Sequence, residues 1–534
     1  MLDLLKFNHY NIYLLGLSMM IIGLPFSNFL MSLSQVILVL NWLVEGDFRI
    51  KWNLFISNSV AKIVASIYLL YIVGLLHSSD FSYALDELRI KLPILILPII
   101  FSTTKPLANS IVGKLLSLFV AAVFAGTLCS LSEYLGLNNL IRSSLGIPVV
   151  SLLDIREISL FVSHIRFSLM ICFSVCFLFY RTFLRESSFN EKLIFNIIAL
   201  WFVVFLFLFE SVTGFAILLV IGILSISYIA FQKCKRIWFW VYLSSVLLLF
   251  SFSVYALFGI VNDYKNVPLV DTTTLDKLTS EGNPYVHDTL DTQLENGNYI
   301  WMYQCKKELE EQWNSKSNID YKGLDEKGQE IEYTLIRFLT SKGLRKDADG
   351  FRKLTDDEIK AIENGVANVY EINKFNIISR LNRIYWEIDD YQRGGNPSGH
   401  SVVQRLEYWI AAMYVIKNNP FVGVGTGDVM ISMNNAYEMN SSKLDLKYRK
   451  RPHNQFLSVF IGFGAIGFFW FLLVLFYPLK NISNNLFQVL YCCFLIIAVL
   501  SMLTEDTLDT QAGVSFFAFL NSFLLFVPNM RNAD

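Results

Sequence analysis

The chain has 534 residues, of which 54% are hydrophobic and 15% aromatic, with a mean hydropathy of +0.46 and a formal net charge of -1. So large an apolar excess exceeds what a soluble domain carries and places the chain in a membrane. The near-neutral charge argues against a polyanion binder, so no nucleic-acid partner is expected.

Apolar stretches near the length needed to cross a bilayer recur at about 10–27, 29–45, 59–77, 88–104, 111–135, 158–180, 193–209, 213–231, 237–261, 455–477, 486–503 and 511–528. They predict an all-α, polytopic membrane protein with about twelve transmembrane helices. The turns near Pro25 and Glu210 are very tight. The first stretch is followed almost at once by the second, which fits a retained helix better than a cleaved signal peptide.

Basic residues set the expected orientation. With the N-terminus inside, thirteen Lys and Arg fall in cytoplasmic segments, among them Lys6, Arg185, Lys235 and Arg531. The short outer loops hold four, Arg89, Lys91, Arg142 and Arg156. Both termini are therefore expected in the cytoplasm and the long polar segment outside. The expected domains are 1–261 with helices 1–9, a helical outer domain at 262–454, and 455–534 with helices 10–12.

Six of the seven cysteines lie in or beside membrane helices and only Cys305 falls in the outer segment, so no disulfide forms within it. No CxxC or paired-His spacing suggests a metal, and no cofactor is expected. The outer segment reads as helical, with apolar residues at helical spacing in YIWMYQCKKELEEQW and FNIISRLNRIYWEIDDY. Thr355 and Glu358 read as a capping box that starts another helix, which Gly365 ends. Residues 391–400, YQRGGNPSGH, are a break. After it SVVQRLEYWIAAMYVIKNN reads as a helix stopped before Pro420, and GVGTGD at 423–428 reads as a simple turn. Asp347 and Asp349, in RKDADGF, read as a solvated turn rather than a metal-binding DxD. Arg380 and Arg383 read as surface partners of Glu387. Glu210 and Glu505 read as interface carboxylates at outer helix ends.

His453 and Asn454 precede a long apolar run, and nine residues later come Gly464 and Gly467. With glycine at about 7% of residues, two glycines at set positions arise by chance about once in two hundred. An interfacial histidine above a close-packing helix and a functional histidine are balanced on physics alone.

The pattern HN-x9-GxxG, with the upstream run RLEYWIAAMYVIKNNPFVGVGTGD, resembles the bacterial O-antigen ligase family. The family's layout of twelve membrane helices and one large outer loop between the ninth and tenth is similar too. The resemblance implies a GT-C-like, metal-independent inverting glycosyltransferase in the bacterial inner membrane, its site facing the periplasm. The implied partners are an undecaprenyl-diphosphate-linked glycan, a lipid A core acceptor and membrane lipids. His453 would be the general base and Asn454 a substrate contact.

Without a metal, arginines must meet the diphosphate. Arg166, about eight residues or about 12 Å inside the stretch at 158–180, is a costly charge there and a functional candidate. Arg405 matches the family's motif arginine, and Arg449, Lys450 and Arg451 sit close to His453. One departure stands out: many relatives have a Ser-Arg pair where this chain has Val212, Thr213 and Gly214. An O-antigen polymerase, which extends another lipid-linked chain, is the alternative within the superfamily. A transporter of lipid-linked or amphipathic solutes is the alternative outside it, but the paired broken helices that a transporter needs are not found.

Overall fold

The computed structural model of the protein describes residues 8–144, 158–183, 188–233, 236–265, 275–372, 377–481 and 486–528. Lys6, Arg156, Arg185, Lys235 and Arg531, used above for orientation, lie outside the described residues, as does the side chain of Arg380.

Helices dominate. The first half of the chain runs α1 (His9–Phe26), α2 (Asn28–Glu45), α3 (Phe48–Ser57), α4 (Ser59–Val73), α5 (Phe81–Thr103), α6 (Asn109–Tyr134), α7 (Leu137–Ser144), α8 (His164–Phe183), α9 (Phe189–Leu208), α10 (Val212–Lys233) and α11 (Arg236–Lys265). A two-stranded hairpin of β1 (Leu294–Glu295) and β2 (Asn298–Tyr299) follows, then α12 (Lys306–Lys316), α13 (Ile331–Ser341), α14 (Ala348–Phe351), α15 (Asp356–Glu363) and α16 (Ile377–Gln392). The chain closes with α17 (Ser401–Asn418), α18 (Val429–Met439), α19 (Gln455–Phe476), α20 (Leu486–Thr504) and α21 (Gln511–Phe526).

The twelve apolar stretches coincide with helices, the one at 158–180 only from His164 onward, and among the described residues eight helices are long and apolar enough to cross a membrane. The protein is a multi-pass membrane protein with an all-α fold. The four other stretches fall short for visible reasons. α5 carries Asp86, Glu87, Arg89 and Lys91 in its first half, and α10, α11 and α21 are apolar over shorter windows. Tight turns are built from shared caps: Ser27 ends α1 by donating its N–H to Gly23 O at 2.8 Å, and starts α2 by accepting from Leu30 N at 3.2 Å. At the second tight turn Glu210 takes a left-handed φ of +49°, and Ser211 Oγ accepts from Gly214 N.

Two compact units divide the chain. The first comprises residues 1–228, 407–442 and 449–534. Its core is aromatic and apolar, with Phe101 edge-on to Phe519 and Phe173 edge-on to Phe119 and Phe494. Within it α5 packs on α4 and α21, and α20 on α8 and α21.

The second unit comprises residues 229–406 and 443–448. Its core gathers Ile300, Leu309, Trp313, Leu335, Phe338 and Ile362, all fully buried. Truncating Trp313 to alanine there costs about 3–5 kcal/mol. The capping box of Thr355 and Glu358 starts α15, and Gly365 follows its end at φ +72°. The expected helix at YIWMYQCKKELEEQW begins only at Lys306, because Tyr299 is taken by the β1–β2 pairing and Gln304 bridges Val286 and Lys346. Asp347 is buried rather than solvated: it caps α14 by accepting from Gly350 N at 2.7 Å and also accepts from Tyr285. Arg383 pairs with Glu371 at 3.8 Å, while Glu387 accepts the Val402 N–H. Among the described residues no cluster has metal-ligand geometry.

Candidate active site

Everything around His453 begins with an unfavourable backbone. His453 sits at φ +50°, in the left-handed region that costs a non-glycine residue about 1–2 kcal/mol. Its neighbours hold it there. The His453 N–H donates to Asp506 Oδ2 at 2.9 Å. Asn454 N-caps α19, its Oδ1 accepting from Phe456 N at 3.0 Å and Leu457 N at 3.2 Å, while its Nδ2 donates to Leu503 O at 3.1 Å. Both ends of the Asn454 amide are thus engaged with backbone.

The imidazole is about one-third exposed. Its Nδ1 lies 3.3 Å from Glu505 Oε2, and the Tyr408 ring packs beside it at 5.6 Å. Nε2 bonds to none of the described residues. Trp409, next to Tyr408 on α17, donates its indole N–H to Pro452 O at 3.1 Å, so the RLEYW run grips the loop that carries the histidine. Arg405 lies one turn earlier on α17. Arg449 pairs with Glu438 at 3.4 Å and lies over the Tyr437 ring.

Between α20 and α21 the segment Glu505–Asp509 supplies three carboxylates. Asp506 is buried, accepting from His453 N and from the Ser458 hydroxyl at 2.6 Å. Burial, and then Asp509, push its carboxyl up to about 6, against Ser458, Arg451 and His453. Burial also pushes on Asp509, but Arg451 and Lys91 outweigh it and hold that carboxyl below its ordinary range. Arg451 is bonded to Asp509, to Glu87 Oε1 at 2.9 Å and to Tyr83. Burial alone would lower its pKa, yet Asp509 and Glu87 keep the guanidinium firmly charged. The structure therefore commits Arg451 to internal ion pairs.

Arg166 does not lie eight residues inside its helix. α8 starts only at His164, so Arg166 is in the first turn. Its Nη1 donates to Ser163 Oγ at 2.9 Å, and its buried Nε has no partner among the described residues. Gly513, in the first turn of α21, leaves it room, since a Cβ there would lie 3.2 Å from that Nε. Glu505, Asp509 and Asp506 are the charges that act on the guanidinium. Arg166 and His453 thus flank one acidic loop.

The glycines of 423–427 are more than a simple turn. α19 is broken at Gly464, which has φ +60° and ψ -164°. Residues 420–425 satisfy the backbone around that break. Ala465 N donates to Pro420 O and Ile466 N to Phe421 O, while Val424 N and Gly425 N donate to Ile461 O and Gly462 O. Any side chain would collide: a Cβ at Gly464 would lie 2.2 Å from Phe421 C, and one at Gly423 2.4 Å from Gly462 C. The upstream Pro-x-x-Gly-x-Gly and the downstream GxxG are two sides of one backbone contact.

Residues 364–472 match the family model described as O-antigen ligase. The match spans 109 residues, which resemble that family in sequence. The match takes in Arg405, Tyr408, Trp409, the glycine loop, His453 and the broken helix. No curated protein matches the chain. Outside the O-antigen ligase match lie Arg166, Glu87 and the acidic loop 505–509. Sequence reasoning missed Asp506 and Asp509 and read Glu505 as an isolated interface carboxylate. The available signal was TEDTLDT, three carboxylates in one short break between apolar helices.

Proposed function

We propose that this protein is a metal-independent inverting glycosyltransferase that moves a glycan from undecaprenyl diphosphate to lipid A core oligosaccharide. The observation that carries this reading is the His453–Glu505 pair beside Arg166. A sugar hydroxyl is a poor nucleophile. His453 Nε2 takes its proton while the hydroxyl oxygen bonds to the anomeric carbon, on the face opposite the diphosphate. The bond from that carbon to the diphosphate oxygen breaks, its electron pair leaves with the phosphate, and the configuration inverts. Glu505 beside Nδ1 stabilises the imidazolium that forms. The growing charge on the leaving group is met by Arg166, with Arg449 as a further donor to the diphosphate. Arg451 and Asn454 hold the histidine loop in place.

On the charge bias of the loops, the site faces the periplasm from the inner membrane, with both termini cytoplasmic. Deleting the protein should leave long glycan chains on undecaprenyl diphosphate and lipid A core bare. Lipid A core carrying a single repeat unit would instead identify a polymerase. Cys305 is buried and unsuited to reporting orientation, whereas Ser315 is exposed. In a Ser315→Cys variant, an impermeant thiol reagent added to spheroplasts should label the protein. Labelling only after membrane disruption would invert the topology and remove the site from the periplasm.

A further inference from the structure

Two buried charges on α5 have no part in the chemistry above. Glu87 and Lys91, one helical turn apart, are 6% and 0% exposed and pair with each other. Lys91 Nζ also lies 3.4 Å from Asp509 Oδ1 and 4.9 Å from the centre of the Tyr71 ring. Stability is a weak reason for such a pair, since apolar replacements of buried ion pairs are often neutral or stabilising. Its connections are more telling. Glu87 holds Arg451, two residues before His453, and Lys91 holds Asp509, four residues after Glu505. Arg451 and Asp509 also bind each other. The proposed base and its carboxylate come from these two loops, and at 3.3 Å their contact is longer than the 2.7–2.9 Å of a tight charge-assisted bond. A small shift of either loop breaks or closes it.

We propose that Glu87 and Lys91 are positioning residues, which set the separation of His453 and Glu505 through Arg451 and Asp509. This rests on the reading of His453 as the base. The test uses the full-length protein in proteoliposomes with lipid-linked donor. The variants are Glu87→Gln, Lys91→Met, Lys91→Arg and the Glu87→Gln/Lys91→Met double, each with and without Glu505→Gln. The double variant removes both charges together and leaves Arg451 paired with Asp509, so it guards against misfolding from an orphaned charge.

The expected result is a kcat lower by about ten- to a hundred-fold with KM for donor nearly unchanged, partly restored in Lys91→Arg. With Glu505→Gln already present, the added loss should vanish, because residues acting through one contact are non-additive. Unchanged kcat in the double variant, or losses that multiply fully with Glu505→Gln, would overturn the proposal. The rate at which diethyl pyrocarbonate modifies His453, read by mass spectrometry, gives a measure independent of transfer. It should rise in Glu87→Gln and Lys91→Met and stay at the wild-type rate in Lys91→Arg. A wild-type protein with no transferase activity but this pattern of labelling would defeat the functional reading and leave the positioning intact, while equal labelling throughout would defeat the positioning.

Discussion

Both compact units bury charged groups, and two of these sets are satisfied in opposite ways. In the second unit Glu295 pairs with Arg337 at 2.9 Å, but the buried Lys346 and Glu308 are met by neutral partners. Lys346 donates to the carbonyls of Tyr299 and Met302 at 3.0 and 2.9 Å, and burial pushes its ammonium down to about 7. Burial pushes Glu308 up, but the Ala348 N–H, Thr279 and Asn283 more than compensate. Such bonds tie together segments of one small core. In the first unit, charge meets charge: Glu87, Lys91, Arg451 and Asp509 form a closed set of two anions and two cations. At its border stand His453 and Arg166, each with a nitrogen that no described residue takes. A buried charge satisfied by carbonyls seals a fold, whereas a balanced network with open nitrogens at its edge is suited to receive a reactant.

The sharpest test of this contrast is His453→Ala. It should insert normally and lose transfer by roughly two to four decades, the range for removing a general base. Near-normal transfer at full expression would end the proposed role. Arg166→Lys should reduce transfer by about ten- to a hundred-fold, because lysine keeps the charge but not the planar fork that suits a phosphate. Full activity would leave Arg166 a structural anchor.

The two units should also answer pH in opposite directions. Asp506 is raised from the unfolded carboxylate value to about 6, so its favourable contribution is complete below about 4 and is lost as pH rises through 6. Thermal unfolding in detergent should therefore show a component that weakens over that window, absent in Asp506→Asn. Lys346, lowered to about 7, favours the folded state above the unfolded lysine value and loses that contribution as pH falls through 7. A component that strengthens between about 7 and 10 should disappear in Lys346→Met. The smallest effect belongs to transfer by Lys346→Met at neutral pH, expected within about twofold of wild type, since the replacement leaves two carbonyls short of a donor at a cost of about 1–3 kcal/mol to stability alone. A large loss of kcat there would erase the distinction between the units.

The apolar stretches were legible because a bilayer-crossing helix leaves its length in the sequence, and the capping box of α15 because it is purely local. His453 stood out by its position before the run that becomes α19. Glu505 did not, for its partner is 52 residues away across two helices, and an acidic residue at a helix end has a sufficient local explanation. Arg166 looks deep in the sequence because residues 158–162, apolar but for Ser159, are not part of α8. The glycine loop could not be understood by itself: what fills the space above Gly423 is backbone from residue 462.

That last contact limits how the motif can be moved between proteins. Since the break in α19 is completed by carbonyls and amides of 420–425, neither half retains its shape when the other is replaced. A chimera that imports a histidine helix from a relative must carry the stretch from Pro420 to Gly467 as a single cassette, and point-by-point exchange across that stretch passes through sequences whose opposing glycines no longer fit.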